Sequence, residues 1–158
     1  MRLYIKQRFF RIMDRYDVYD KNNNVVYIIK RETYKISATF NLFDAHTNKL
    51  LFTIYRKFFS LAPTYYICQD DFIHSEITKG FLFFDNNVKL NSIQGRYKIT
   101  GDLWGIGFKI YQGNNFLGSI KKLVFNFKEI YVLSFDDEST APLFTALIIA
   151  IDNCIYNK

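Results

Sequence analysis

Residues 141–158 read "APLFTALIIAIDNCIYNK", and from Pro142 to Ile151 no side chain is charged. Just upstream, "DDEST" followed by Ala141-Pro142 has the form of a helix start: acids ahead of the first turn, hydroxyls at the cap, a proline near the first helical position. Leu143, Phe144 and the run 146–151 then place apolar groups on every side of the helix. Such a helix is enclosed by protein or immersed in lipid. Length decides between the two. Ten helical residues rise about 15 Å, roughly half a hydrocarbon core, and Asp152-Asn153 interrupts the run. The stretch predicts a core helix, over about Pro142 to Ile155, with the rest of the chain wrapped around it.

The rest of the chain has strand rhythm. One phrase recurs: "VYDKNNNVVYIIKR", in which Asp20 leads to Ile28 and Lys30, "LFDAHTNKLLFTIYRKFF", Asp44 to Ile54 and Arg56, "ICQDDFIHSEITKGF", Gln69 to Ile77 and Lys79, and "IYQGNNFLGSIKKLVF", Gln112 to Ile120 and Lys122. Each copy is two short apolar segments about a polar Asn/Asp/Gly turn, the sequence form of a β-hairpin. In "RLYIKQRF", Arg2, Tyr4, Lys6 and Arg8 fall on one face, and Leu3, Ile5, Gln7 and Phe9 on the other. Successive hairpins without a helical period predict antiparallel sheet, closed or sandwiched, and the helix is read as the filling of a barrel. With 158 residues and 19% aromatics, this is one domain over 1–158 with an aromatic-rich strand core. Seven Gly and two Pro leave no linker.

The phrases resemble the LURP-one-related family, which has the tubby C-terminal-like fold. The resemblance rests on "MRLYIKQRFF", "YDVYDKNNNVVY", "IYRKFFSLAPTYYI", "GSIKKLVFNFKEIYVL" and, most specifically, "FDDESTAPLFTALIIAID". It implies a β-barrel of about twelve strands threaded by a hydrophobic helix. The wider fold includes tubby, which binds phosphoinositides, and the phospholipid scramblases; family members are linked to plant defence. No binding residues transfer from tubby, and the cysteine-rich palmitoylation segment of scramblases has no counterpart here.

Motifs that could carry chemistry each have a plainer reading. Asp20, Asn22 and Asn24 match the first positions of a calcium loop, but Val25 replaces its glycine and Arg31 its final glutamate, so a polar turn is expected. "GIG" at 105–107 is half a dinucleotide fingerprint with no helix after it. His74, Ser75 and Glu76 are consecutive in a strand pattern, so neighbours should point to opposite faces. They and His46 read as solvated polar residues. Cys68 and Cys154 read as buried reduced thiols. Asp152 is expected to be a carboxylate paired with Arg or Lys or bonded to barrel amides, the alternative being a charge that gates a barrel mouth. The start "MRLYIKQRFF" has no signal-peptide pattern.

The basic clusters carry the functional expectation. Formal net charge is +6, an excess that favours anionic partners. Arg2, Lys6, Arg8, Arg11, Arg56, Lys57, Lys121 and Lys122 stand beside aromatics such as Phe9-Phe10 and Phe58-Phe59, a combination that suits an anionic membrane surface. The expectation is a monomeric, non-enzymatic binding protein without cofactor or metal, cytoplasmic or peripheral to the inner membrane face. It would contact anionic phospholipid, such as a phosphoinositide-like lipid, or a small apolar ligand. A protein–protein interaction module is the alternative, and nucleic acid is disfavoured.

Overall fold

The computed structural model describes residues 1–10, 13–79, 88–92, 95–101, 107–125 and 128–156, with side chains described over 1–6, 15–78, 97–101, 107–124 and 129–154. Among these, twelve strands precede one α-helix. They are β1 (Arg2–Phe10), β2 (Met13–Tyr19), β3 (Val25–Arg31), β4 (Thr39–Asp44), β5 (Leu50–Arg56), β6 (Thr64–Gln69), β7 (Phe72–Lys79), β8 (Val88–Ser92), β9 (Gly95–Gly101), β10 (Gly107–Gln112), β11 (Asn115–Phe125) and β12 (Lys128–Phe135). Each strand pairs antiparallel with its neighbours in sequence. The first also pairs with the last, Leu3 opposite Leu133 and Ile5 opposite Tyr131, so the ladder closes on itself as a barrel.

The hairpin turns show why the chain reverses where it does. The Asp20 carboxylate accepts the backbone N–H groups of Asn22 and Asn24 at 2.8 Å and the Asn24 side-chain amide at 3.0 Å. Asp44 does the same for His46 and Thr47. Asn23 (φ 64°), Asn48 (φ 55°) and Gly113 (φ 59°) take the left-handed conformation that tight hairpins need. Asp20 thus spends its oxygens on its own turn, as expected of a polar turn rather than a calcium loop.

Behind β12 a 3₁₀ turn, Glu138–Thr140, is capped by Asp137, whose carboxylate accepts from Ser139 N at 2.9 Å. It runs directly into α1 (Ala141–Tyr156). The helix enters at the rim where β12 ends, here the upper rim. Its last turn reaches the opposite, lower rim, where the Cys154 thiol donates to Pro63 O at 3.3 Å. Residues 141–154 are buried but for Pro142. Leu147, Phe144 and Ile149 have no solvent exposure, and α1 packs on β5, β6, β7 and β12. Inward residues at alternate strand positions surround it: Leu3, Ile5, Val18, Ile29, Leu42, Ile54, Ile67 and Ile77 are all fully buried. The helix is the centre of the core.

The aromatic-rich core read from composition is present: Tyr16, Phe40, Phe52, Tyr65, Tyr97, Phe108, Tyr131, Phe135 and Phe144 are buried among Ile and Leu. Phe58, Phe59, Phe72 and Phe116 are exposed.

Candidate functional site

The eight bases singled out from the sequence do not gather on one face. Arg2 and Lys6 point outward from β1, opposite in parity to the buried Leu3 and Ile5, and Lys121 points outward from β11 beside buried Ile120. Arg56 and Lys122 turn inward, a correction to the expectation of an outer basic face. Arg56 shares the face of buried Phe52 and Ile54 and pairs with buried Tyr65. Burial raises the Tyr65 phenol pKa, and the Arg56 charge works against that rise. Lys122, its side chain 7% exposed, forms an ion pair with Glu129 at 2.8 Å and lies 5.5 Å from the Tyr131 ring centroid. Strand alternation dictates both inward orientations. The Arg8 side chain and all of Arg11 lie outside the described residues.

Lys57 belongs to a different constellation. At the lower rim, segment 32–38 joins β3 to β4 and segment 57–63 joins β5 to β6. The Arg56 amide donates to Ala38 O at 3.0 Å, which ties the two segments side by side. They carry Tyr34, Ile36, Phe58, Phe59 and Leu61, each 62–100% exposed. Phe58 and Phe59 meet edge-to-face, 4.6 Å between centroids. Around them stand Lys35, paired with Glu32 at 3.1 Å, and Lys57, 5.7 Å from the Tyr66 ring centroid. The Tyr66 hydroxyl raises the Lys57 pKa. An Asn41 amide at 2.6 Å from Glu32 holds that carboxyl below its usual range. Surface this apolar on adjacent loops is uncommon on a protein with no partner for it. The sequence signal was present in "KFFSLAP" and "TYKIS", but hydrophobicity alone did not say that these residues lie outside the barrel.

Two polar cavities flank the wall. One of about 510 Å³ runs over the outer face of β4–β6, lined by Glu32, Lys35, Asn41, Thr53, Asp70 and Asp71 among others. Another, about 320 Å³, sits at the upper rim against Gln112, Asp136, Asp137 and Ser139. Apolar groups share both linings, Leu50, Leu51 and Phe52 in the first and Tyr97, Phe116 and Leu117 in the second.

The remaining candidates resolve as structure. In pairing β6 with β7 the register shifts, Ile67 facing Ser75 but Cys68 facing Ile73, so His74 is the extra residue of a bulge. The bulge overturns the simple alternation expected for residues 74–76. His74 Nδ1 comes within 2.8 Å of Ser75 Oγ, and its ring meets Phe52. Burial lowers the His74 pKa. Ser75 is itself buried, and Glu76 instead accepts from Thr78 at 3.4 Å, so the three do not form a relay with an accessible nucleophile. Of "GIG", only Gly107 lies among the described residues, in β10. Asp152 is buried and accepts the Tyr131 hydroxyl. Cys68 and Cys154 are buried and are not joined in a disulfide. Cys68 lies near the upper end of β6 and Cys154 at the lower rim, and burial raises the Cys68 pKa, which keeps the thiol protonated. Among the described residues no cluster of His, Cys, Asp and Glu could hold a metal ion, and no helix is long and apolar enough to cross a membrane.

A twelve-strand ring closed on a buried C-terminal helix is a specific architecture, and the comparisons agree with it. The family model described as LURP-one-related matches residues 1–152. The chain belongs to the LURP-one-related family. Within the curated proteins, this LURP-one-related chain is 26% identical over 155 residues to uncharacterized protein YxjI of Bacillus subtilis (strain 168), covering 98% of this chain and 94% of that one. Among solved structures, an X-ray structure of an Arabidopsis thaliana protein superposes with a TM-score of 0.64 at 9% identity, covering 96% of this chain and 90% of that chain. At that identity the likeness speaks for the fold alone.

Proposed function

We propose that this LURP-one-related protein is a non-enzymatic binding protein that docks on anionic phospholipid through its lower rim. The observation that carries the reading is the pair of adjacent loops with five large apolar side chains exposed at their tips and with Lys35 and Lys57 beside them. Apolar tips gain by entering the headgroup–acyl boundary, and binding of this kind grows with buried apolar area plus attraction to anionic lipid. Each base near a charged surface adds roughly 1 kcal/mol. The inward Arg56 lies at the same rim and adds positive potential there. The kinship of the fold with tubby and the scramblases is consistent with lipid contact, but fold alone does not carry function.

Co-sedimentation with phosphatidylserine-containing vesicles tests this. The combined variant Phe58→Ser, Phe59→Ser, Leu61→Ser should weaken binding by about tenfold or more, while a melting curve of the same variant stays close to wild type because these side chains pack on little. Equal sedimentation of wild type and variant, or indifference of wild type to anionic vesicles, sinks the reading.

A further inference from the structure

The outer wall opposite the loop segments is a second, independent surface. Strand pairing arranges its outward residues in rows. Arg2, Ser134, Ser119 and Lys109 lie across β1, β12, β11 and β10; Tyr4, Val132 and Lys121 form the next row; Lys6, Ile130 and Leu123 the third. Lys98 stands one diagonal step from Lys109 on β9. Lys98, Lys109 and Lys121 are diagonal neighbours on adjacent strands, about 7–8 Å apart, and Arg2 stands two strands from Lys121, across β12. Four cations, Arg2, Lys98, Lys109 and Lys121, share this wall, and no described outward side chain of β9–β12 or β1 is acidic; Lys6, at its edge, stands opposite Asp17 of β2 with its amino group 4.4 Å from the Tyr19 ring centroid. Glu129 turns inward to Lys122, and Asp136, Asp137 and Glu138 lie beyond the end of β12. Between the cations the surface is aliphatic: Val132 and Ile130 are half-buried, and Leu123 is exposed.

We infer that this wall is the docking surface for an acidic protein segment that carries aliphatic side chains. Three features select that occupant. The charge is of one sign, which suits a run of carboxylates and repels basic partners. The centre is aliphatic, whereas a single-stranded nucleic acid gains from aromatic platforms on which bases stack. The wall also curves: five of twelve strands cover more than a third of the barrel's circumference, so a flat bilayer touches only part of it while a flexible chain follows it.

The test is fluorescence anisotropy at low salt with three labelled probes: a peptide of alternating Glu and Leu, a peptide of the same length and charge alternating Glu and Gly, and an oligouridylate. The Glu/Leu peptide should bind about tenfold tighter than the Glu/Gly peptide. Lys109→Glu with Lys121→Glu should cost both peptides tenfold or more, and Leu123→Ser should weaken the Glu/Leu peptide alone. All three positions are exposed, so melting should change little, and the same variants should sediment with anionic vesicles as wild type does. Tighter binding of oligouridylate than of either peptide overturns the inference, as does peptide binding that ignores the charge reversal. Loss of vesicle binding in the charge-reversed protein overturns it too, by making the wall the membrane face. Because the peptide measurement needs no lipid, failure of the membrane reading leaves it standing.

Discussion

Asp20 and Asp44 hold equivalent corners of successive hairpins, and their hydrogen bonds from turn N–H groups lower both pKa values. A carboxyl with a folded pKa below its unfolded one adds stability that is present above about pH 4 and is lost as pH falls through the folded pKa. Asp20→Asn with Asp44→Asn should therefore flatten the acid limb of a plot of urea midpoint against pH, lowering the midpoint near neutrality and changing it least in acid. An unchanged acid limb would show that the turns do not carry it. These roles were legible because they are local: an Asp two to four residues ahead of the N–H groups it accepts is visible in a string. The His74–Ser75 contact was not, because the bulge that creates it depends on the register with β6, set by residues elsewhere. Thr145 gives a second prediction at this scale. It is fully buried, and its hydroxyl has no hydrogen-bond partner among the described residues. Thr145→Val keeps the branched shape and removes an unpaired polar atom, so thermal unfolding should shift upward, by roughly 1 kcal/mol in stability. A lower melting temperature would mean the hydroxyl has a partner.

The helix shows how far periodicity reaches and where it stops. An apolar run too short for a bilayer could only be enclosed, and its observed span, Ala141–Tyr156, contains the expected one. Leu147→Asp should abolish soluble folding, since an unpaired buried charge costs at least several kcal/mol against a total stability of about 5–15 kcal/mol. A soluble variant with an unchanged cooperative melt would refute enclosure. The strand around the helix is equally tight at Gly118 on β11, where a Cβ would sit 2.7 Å from Ser134 O and 3.4 Å from the Phe144 ring. Gly118→Ala should cost about 1–3 kcal/mol through forced backbone movement, read as a lowered urea midpoint; a neutral result would mean β11 shifts freely. The same alternation that exposed the helix environment also misassigned Arg56 and Lys122. A base next to an aromatic reads as surface, but two residues along from a buried Ile the parity turns it inward, towards Tyr65 or Glu129. The chemistry of the side chain suggested one face and the geometry of the strand imposed the other.

At the scale of the molecule, closure is the property no local stretch contains. β1 meets β12 across almost the whole chain, Arg2 opposite Ser134 and Lys6 opposite Ile130, and neither strand differs in pattern from those that pair with sequence neighbours. The choice between closed and sandwiched sheet thus turned on the helix, which needs a wall on every side. Closure also gives the two proposed surfaces their independence, since the loop tips at β3–β6 and the basic wall at β9–β1 are fixed on different sides of one ring. It sets a hierarchy of opening as well. The helix cannot exchange its amide hydrogens with solvent until the ring around it parts, so those amides should exchange only through global unfolding, with protection equal to the full stability of the domain. Segments 32–38 and 57–63, by contrast, have few buried apolar contacts and should exchange at once. Native-state hydrogen exchange at increasing denaturant checks this: the helix and the β1–β12 ladder should converge on one unfolding line. Helix amides that exchange through a lower-energy opening while the β1–β12 ladder stays protected would mean that α1 can leave an intact barrel, and that the ring does not depend on its filling.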